Sequence, residues 1–273
     1  MLAGTTHAMA MRSAIEAGPA PVMSDAISGP AKLAQTQPAP APAQAPAPAA
    51  APSPAPAAAA EPIGNVATLT GSATVTRNNA STLLQLKDDI FENDVLQTAA
   101  NSTLGVTFND ATTFHLTANA QITVDFFVYE DGGQKNGALF DVAKGAVAFV
   151  AAAVAKTGDM RISTPTATLG IRGTTGLIEV PEGASATRAN NVAIKLYPDP
   201  DGRVGQIEVN SRDGIRLGSL TQAASGFAIR PGTGGRVTAQ PLVISASEVR
   251  RDQGIVRQVH AAQSVGRQIV TER

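Results

Sequence analysis

The sequence predicts an all-β domain, an antiparallel sandwich or β-roll of many short strands, with a solenoid-like roll as the alternative. Three observations carry that class. The stretch "ATLTGSATVT", residues 67–76, places small or apolar residues at odd positions and Thr or Ser at even ones, the period of two of a half-buried strand. The same alternation recurs many times downstream. Between the runs lie clusters of turn formers, "EDGGQKNG" (130–137), "PDPDGR" (198–203) and "SRDG" (211–214). Short strands with closely spaced turns build sandwiches or rolls, and about 180 residues can bury a sizeable core as one domain.

Taken in order, residues 1–37 carry no periodicity and are expected to be disordered. From Pro38 to Ala60 every residue except Gln44 and Ser53 is Ala or Pro. Proline fixes φ and removes amide donors, so this stretch reads as a semi-rigid, uncharged spacer within a Pro/Ala-rich linker over 38–62. The β domain is expected over 63–244. After 67–76, Leu104, Val106 and Phe108 alternate with polar or small residues. Phe114 and Leu116 follow, then Ile122, Val124, Phe126 and Val128. Asn109-Asp110 separates two of these runs, and both residues tolerate positive φ, so a tight hairpin is predicted there. Further strands are predicted at 139–142, 146–150, 167–171, 177–180, 192–197, 206–209, 214–217 and 227–229. The tail, 245–273, reads as an amphipathic helix: Ser245-Ala-Ser-Glu248 has capping-box spacing, and Ile255, Val259, Ala262 and Ile269 share one face. Gly254 and Gly266 weaken it by up to ~1 kcal/mol each. The preferred reading docks this helix on its own sheet. The alternative makes it a partner-binding helix with Arg250, Arg251, Arg257 and Arg267 outward.

Composition narrows function. The 273 residues carry a net charge of −1 and no Cys or Trp, so disulfides and thiolate metal sites are excluded. Basic residues are scattered, without the basic runs of a nucleic-acid binder, and no run of about 18 apolar residues predicts a transmembrane helix. Glu16, Pro19, Pro21 and Asp25 interrupt any apolar signal-peptide core. On that reading the protein stays inside or the chain starts downstream of its true signal, and Met9, Met11 and Met23 leave the start open. His7, His115 and His260 are far apart in sequence, and alternation turns His115 to the polar face of its strand. G-x-S-x-G and H-E-x-x-H are absent. The carboxylates Asp88, Asp89, Glu92 and Asp94 do not match a Ca²⁺ loop and read as a solvated turn. No catalytic residues, metal or cofactor are therefore expected.

"STPTATLGIRGTTGLIEV", Ser163–Val180, is rich in glycine, yet it has neither the lysine of a P-loop nor the helix of a dinucleotide fingerprint. Parity explains it better. Ala167, Leu169 and Ile171 are apolar at odd positions, Ile178 and Val180 at even ones. A strand cannot change faces without absorbing one residue, so Gly173-Thr174-Thr175-Gly176 must bulge or bend.

The same stretch resembles the signature of the FecR domain family, T-P-x-A-x-x-G-[VI]-R-G-T, at Thr164, Pro165, Ala167, Gly170, Ile171, Arg172, Gly173 and Thr174. The resemblance extends over 63 to about 237, through "GNVATLTGSATVTR", "LKDDIFENDVLQTAANSTLGVTFNDATTFHL" and "ALFDVAKGAVAF". Two departures stand out: Asp88 and Asn93 replace turn glycines, and Asp110-Ala111-Thr112 replaces D-G-[ST]. Asp and Asn can still take the left-handed conformation, which Ala111 cannot do cheaply. The resemblance implies a non-enzymatic β domain of the periplasm or cell envelope, with a protein or glycan partner. Its motif residues Thr164, Pro165, Gly170, Arg172, Gly173 and Thr174 are expected to be structural. Arg172 is expected to brace the bend against a carboxylate or carbonyls, with recognition of an acidic partner or glycan as the alternative. Some family members regulate extracytoplasmic-function sigma factors in iron uptake, through an upstream cytoplasmic segment and membrane helix. This chain has an Ala/Pro segment there, so a binding, sensory or signalling module is preferred over such a regulator or an adhesive envelope protein.

Overall fold

The computed structural model describes residues 61–157, 159–185, 191–232 and 236–271. The two segments predicted as disordered head and Ala/Pro linker fall outside them, except for Glu61 and Pro62. Among the described residues the strands run β1 (Gly64–Thr70), β2 (Ala73–Arg77), β3 (Ala80–Leu83), β4 (Asp89–Ile90), β5 (Val95–Thr98), β6 (Thr103–Phe108), β7 (Thr113–Leu116) and β8 (Gln121–Val128). Then come β9 (Gly137–Val150), helix α1 (Ala153–Thr157), β10 (Met160–Ser163), β11 (Ala167–Arg172), β12 (Thr175–Val180) and β13 (Val192–Tyr197). The series closes with β14 (Gln206–Ser211), β15 (Arg216–Leu220), β16 (Ser225–Pro231), β17 (Val237–Pro241) and helix α2 (Ala246–Thr271).

These strands form two sheets that share β9. The first runs β4-β1-β6-β7-β9-β12-β13-β16-β17. The second runs β3-β2-β5-β8-β9-β10-β11-β14-β15. One buried cluster joins their facing sides, with Val106, Phe114, Phe149, Ile178 and Ile194 from the first and Leu96, Phe140, Ile162, Leu169 and Val209 from the second. Phe114 and Phe140 meet at 4.6 Å between ring centroids, within the range of favourable aromatic pairing. The all-β expectation holds. Its antiparallel form has one exception: β10 runs parallel to the first half of β9, with Met160 beside Ala138.

The chain passes between the sheets at glycines, which moves several predicted boundaries. The run 67–76, read as one strand, breaks at Gly71 (φ +72°) into β1 and β2 on different sheets. The runs 139–142 and 146–150, read as two strands, are one 14-residue strand bent at Gly145 (φ +89°). A Cβ there would lie 2.4 Å from the Ala120 Cα, so backbone contact as well as conformation demands glycine. The run 214–217 starts late, at Arg216, because Gly214 is still in the turn (φ +82°).

The hairpin between β6 and β7 forms, but its left-handed residue is Ala111 (φ +68°) rather than Asn109 or Asp110. Asp110 imposes this by local hydrogen bonds: its carboxylate accepts from the Thr112 amide and hydroxyl, both at 2.7 Å, and from the Val154 amide at 3.0 Å. Those bonds offset a strain of about 1–2 kcal/mol at alanine. Of the two substituted turn glycines, Asn93 is left-handed (φ +67°), whereas Lys87 rather than Asp88 takes that conformation. The carboxylate turn is not wholly solvated either. Asp94 is fully buried and receives Arg77 through Nε at 2.6 Å and Nη2 at 2.7 Å, the bidentate geometry of a strong charge-assisted pair.

Helix α2 opens on the predicted capping box, with Ser245 N donating to Glu248 Oε2 at 2.8 Å and Glu248 N to Ser245 Oγ at 3.3 Å. It lies on the outer face of the first sheet, burying Val256, Val259, Ala262, Gly266 and Ile269. Gly266 is there for contact: a Cβ would stand 2.0 Å from Thr107 Oγ1. Its helix-propensity cost is the condition of close approach. Arg250, Arg257 and Arg267 are exposed, while Arg251 reaches Glu179 at 2.9 Å.

Candidate functional site

The family-like stretch forms the corner where the chain leaves one sheet for the other. β11 belongs to the second sheet and β12 to the first. Ala167, Leu169 and Ile171 face the core before the corner, Ile178 and Val180 after it. The extra residue demanded by parity is absorbed at Gly173-Thr174, where Gly173 has φ +49°. Gly176 is needed for room, since a Cβ would lie 2.4 Å from Phe149 Cζ in the core. Gly170 answers to neither reason: its φ is ordinary, and its nearest neighbour to an added Cβ is Glu208 Cβ at 3.8 Å.

The corner is held by its threonines. Thr164 and Thr174 are both fully buried. Thr164 Oγ1 accepts from Ala167 N at 3.0 Å and closes the β10–β11 turn, in which Pro165 is half-buried. Thr174 Oγ1 accepts from Gly205 N at 3.2 Å and donates to Tyr197 O at 3.5 Å. Gly205 comes so close that a Cβ would stand 2.1 Å from the carbonyl oxygens of Arg172 and Gly173. Arg172, expected as the brace, does not share in this. Its side chain is exposed, with no hydrogen bond or ion pair to any described residue. Its place at the outward parity of β11 puts it on the far side of the sheet from the corner's hydrogen bonds.

Gly170 and Arg172 open on the outer face of the second sheet, which no described helix covers. Register sets Phe126, Leu139, Arg161, Gly170, Glu208 and Ser219 side by side across six strands, about 4.8 Å apart. A parallel row holds Thr123, Asp141, Ser163, Thr168, Asn210 and Arg216. Two adjoining depressions, about 430 and 670 Å³, meet at Arg161 and Thr168. The ion pairs there are long, with Arg161 3.6 Å from Asp159, Arg212 3.9 Å from Asp141 and Arg216 3.3 Å from Glu208, although Arg212 also donates to the Thr164 carbonyl at 2.9 Å. Burial, with Asp125 nearby, pushes the Asp141 carboxyl up and outweighs Arg212.

A second polar group lies under helix α2, and sequence reasoning missed it. Asp252 is fully buried and accepts from Lys195 Nζ and Tyr197 OH, both at 2.7 Å. Lys195, 1% exposed, also meets Glu179 at 2.7 Å. Burial opposes the charge of Asp252, but its bonds to Lys195 and Tyr197 hold the carboxyl below its usual range. The available signal was Lys195 and Tyr197 at outward parity within an apolar strand. His115, expected on a polar face, is 3% exposed because that face is the helix interface, and neither ring nitrogen has a partner. Burial pulls its pKa down.

One arrangement looks catalytic. Thr175 Oγ1 is 2.7 Å from Asp199 Oδ1 and 3.2 Å from His260 Nε2. A hydroxyl has one proton, and here it goes to the carboxylate, so His260 must donate to Thr175 instead of acting as its base. Burial also pulls His260 down and pushes Asp199 up. This is the hydrogen-bonding of a packed interface. No cluster of metal-ligating side chains and no helix long and apolar enough to cross a membrane occurs among the described residues.

Comparison with known proteins gives a family match and a distant likeness. Residues 94–193, which contain the whole corner, match the family model described as FecR protein. No curated protein matches the chain. Two crystal structures of a "putative anti-sigma factor" of Parabacteroides distasonis align at 13% identity and a TM-score of 0.37, over 59% and 60% of this chain and 73% and 74% of theirs. At that score they carry no weight for function. Over residues 94–193, from buried Asp94 into β13, the chain is similar to FecR protein.

Proposed function

We propose that the chain is a non-enzymatic binding module of the bacterial cell envelope, which engages a protein or glycan partner and serves signal transduction. The FecR match supports a regulatory role of this kind. One observation carries the location. Among the six motif residues, Gly170 and Arg172 are not consumed in building the corner, and both open on the uncovered face of the second sheet. An arginine without a partner is a ready donor for a carboxylate or phosphate, and exposed polar residues that folding does not use mark binding surfaces.

A photo-crosslinking residue placed at Asn210 in the full chain, in its native host, tests this. The expected result is a discrete crosslinked product that Arg172→Ala strongly reduces. Crosslinks that form only from a residue placed at Arg257, on the exposed side of helix α2, would move the site to the helix and overturn the reading.

A further inference from the structure

The ligand class follows from what this face offers, on the reading that the face is the binding site. β10, β11 and β14 are interior strands whose backbone groups are taken up by neighbours on both sides. A peptide therefore cannot add as a further strand there, which is the usual source of backbone affinity for an extended segment. Only side chains can read the ligand. Those at the centre are hydroxyl and amide groups, Ser163, Thr168 and Asn210, spaced at the strand interval and able both to donate and to accept. Beside them stand Arg161, 3.6 Å from Asp159, Arg172, unpaired among the described residues, and Arg212, which donates to the Thr164 carbonyl at 2.9 Å. At one end Phe126 is 43% exposed and lies against Gly137, whose added Cβ would be 3.2 Å from the ring. Gly170 keeps the floor low between Arg161 and Glu208.

A chain of polyhydroxylated rings bearing carboxylates satisfies all of this. Its sugar units are about as long as the strand spacing of roughly 4.8 Å, so successive rings can meet successive strands. Hydroxyls pair with the central row, one ring face lies on Phe126, and carboxylates take the arginines in bidentate geometry. We propose that the outer face of the second sheet binds an acidic oligosaccharide laid across the strands, with Phe126 as its platform and Arg161 and Arg172 as its carboxylate readers.

Calorimetric titration of the full chain with oligogalacturonate, neutral cello-oligosaccharide and poly-glutamate tests the assignment. Oligogalacturonate should bind and weaken with salt, while the neutral oligosaccharide should not. Arg172→Ala should weaken binding about tenfold, a typical loss for a charge-assisted contact, and Phe126→Ala about fivefold or more. Arg172 is exposed, so Arg172→Ala should leave melting unchanged, Phe126→Ala should lower it only modestly, and Gly170→Trp should block the floor without unfolding the strand. Poly-glutamate binding as tight as oligogalacturonate, with no effect of Phe126→Ala, would overturn the glycan assignment in favour of an acidic protein. Absence of oligogalacturonate binding would overturn it too. If Gly170→Trp also leaves the Asn210 crosslink intact, the face itself is wrong and the reading above falls with it.

Discussion

The two outer faces of this sandwich are built from the same alternation and end in opposite states. On the first sheet the outward residues include Thr107, Thr113, His115, Thr175, Lys195 and Tyr197, all at most 3% exposed beneath helix α2. On the second sheet the equivalent positions carry Arg161, Gly170, Arg172, Glu208 and Asn210, and they face solvent. What separates the two is pairing. Charges on the covered face close on one another, through Lys195, Asp252, Glu179 and Arg251, as burial requires. Charges on the open face are paired singly and at greater distance, Arg216 with Glu208 at 3.3 Å and Arg161 with Asp159 at 3.6 Å, and Arg172 has no partner among the described residues. A polar face with its charges satisfied is architecture; one with charges in reserve is available to a ligand.

The comparison can be broken first on its covered side. Asp252→Ala should cost up to about 3–5 kcal/mol, because it leaves the buried Lys195 with Glu179 alone and the Tyr197 hydroxyl without its acceptor. Thermal melting and amide exchange along α2 would register this, and a small loss would mean that the helix is only loosely seated. Gly266→Leu should cost about 1–3 kcal/mol by overpacking against Thr107. Gly254 has open space around it, so Gly254→Ala should instead gain up to about 1 kcal/mol.

A third test uses pH. The folded pKa of His115 lies below its ordinary value, so the unfolded chain binds that proton more readily. Stability should be complete above about pH 6.5 and fall as pH drops below it, by up to about 1.4 kcal/mol per unit of displacement. No charged side chain contributes to the displacement. His260 acts in the same sense against Asp199, and the raised Asp199 acts oppositely in the carboxylate range. Melting curves from pH 7 to 5 should lose much of their slope in His115→Gln. The smallest effect belongs to the open face, where Arg172→Ala should change stability by less than about 0.5 kcal/mol.

Much of this was legible in the residues. Period-two alternation marked most strands, Ser245 and Glu248 marked the start of α2, and the parity change between Ile171 and Ile178 located the corner. Legibility ended where the cause was distant in sequence. Asp252 reads as one acid on a polar helix until Lys195, 57 residues away, is folded beneath it. His115 reads as surface because nothing in its strand announces the helix above. Gly266 reads as a helix defect until Thr107 approaches. Arg172 was expected to brace the corner because its five donors can hold a carboxylate or carbonyls at a bend. Parity alone already turned it outward, and Thr174, a smaller donor and acceptor, fits inside the bend.

The division of labour within one motif is the central claim, with Thr174 building the corner and Arg172 serving the open face. Its most direct test is a paired measurement on Thr174→Val and Arg172→Ala, recording melting temperature and oligogalacturonate binding for each. Thr174→Val should lose about 1–3 kcal/mol of stability by leaving the Gly205 amide unsatisfied, while Arg172→Ala should melt like the parent and lose binding. An Arg172→Ala protein that melts as early as Thr174→Val, or that binds as the parent does, would contradict the account.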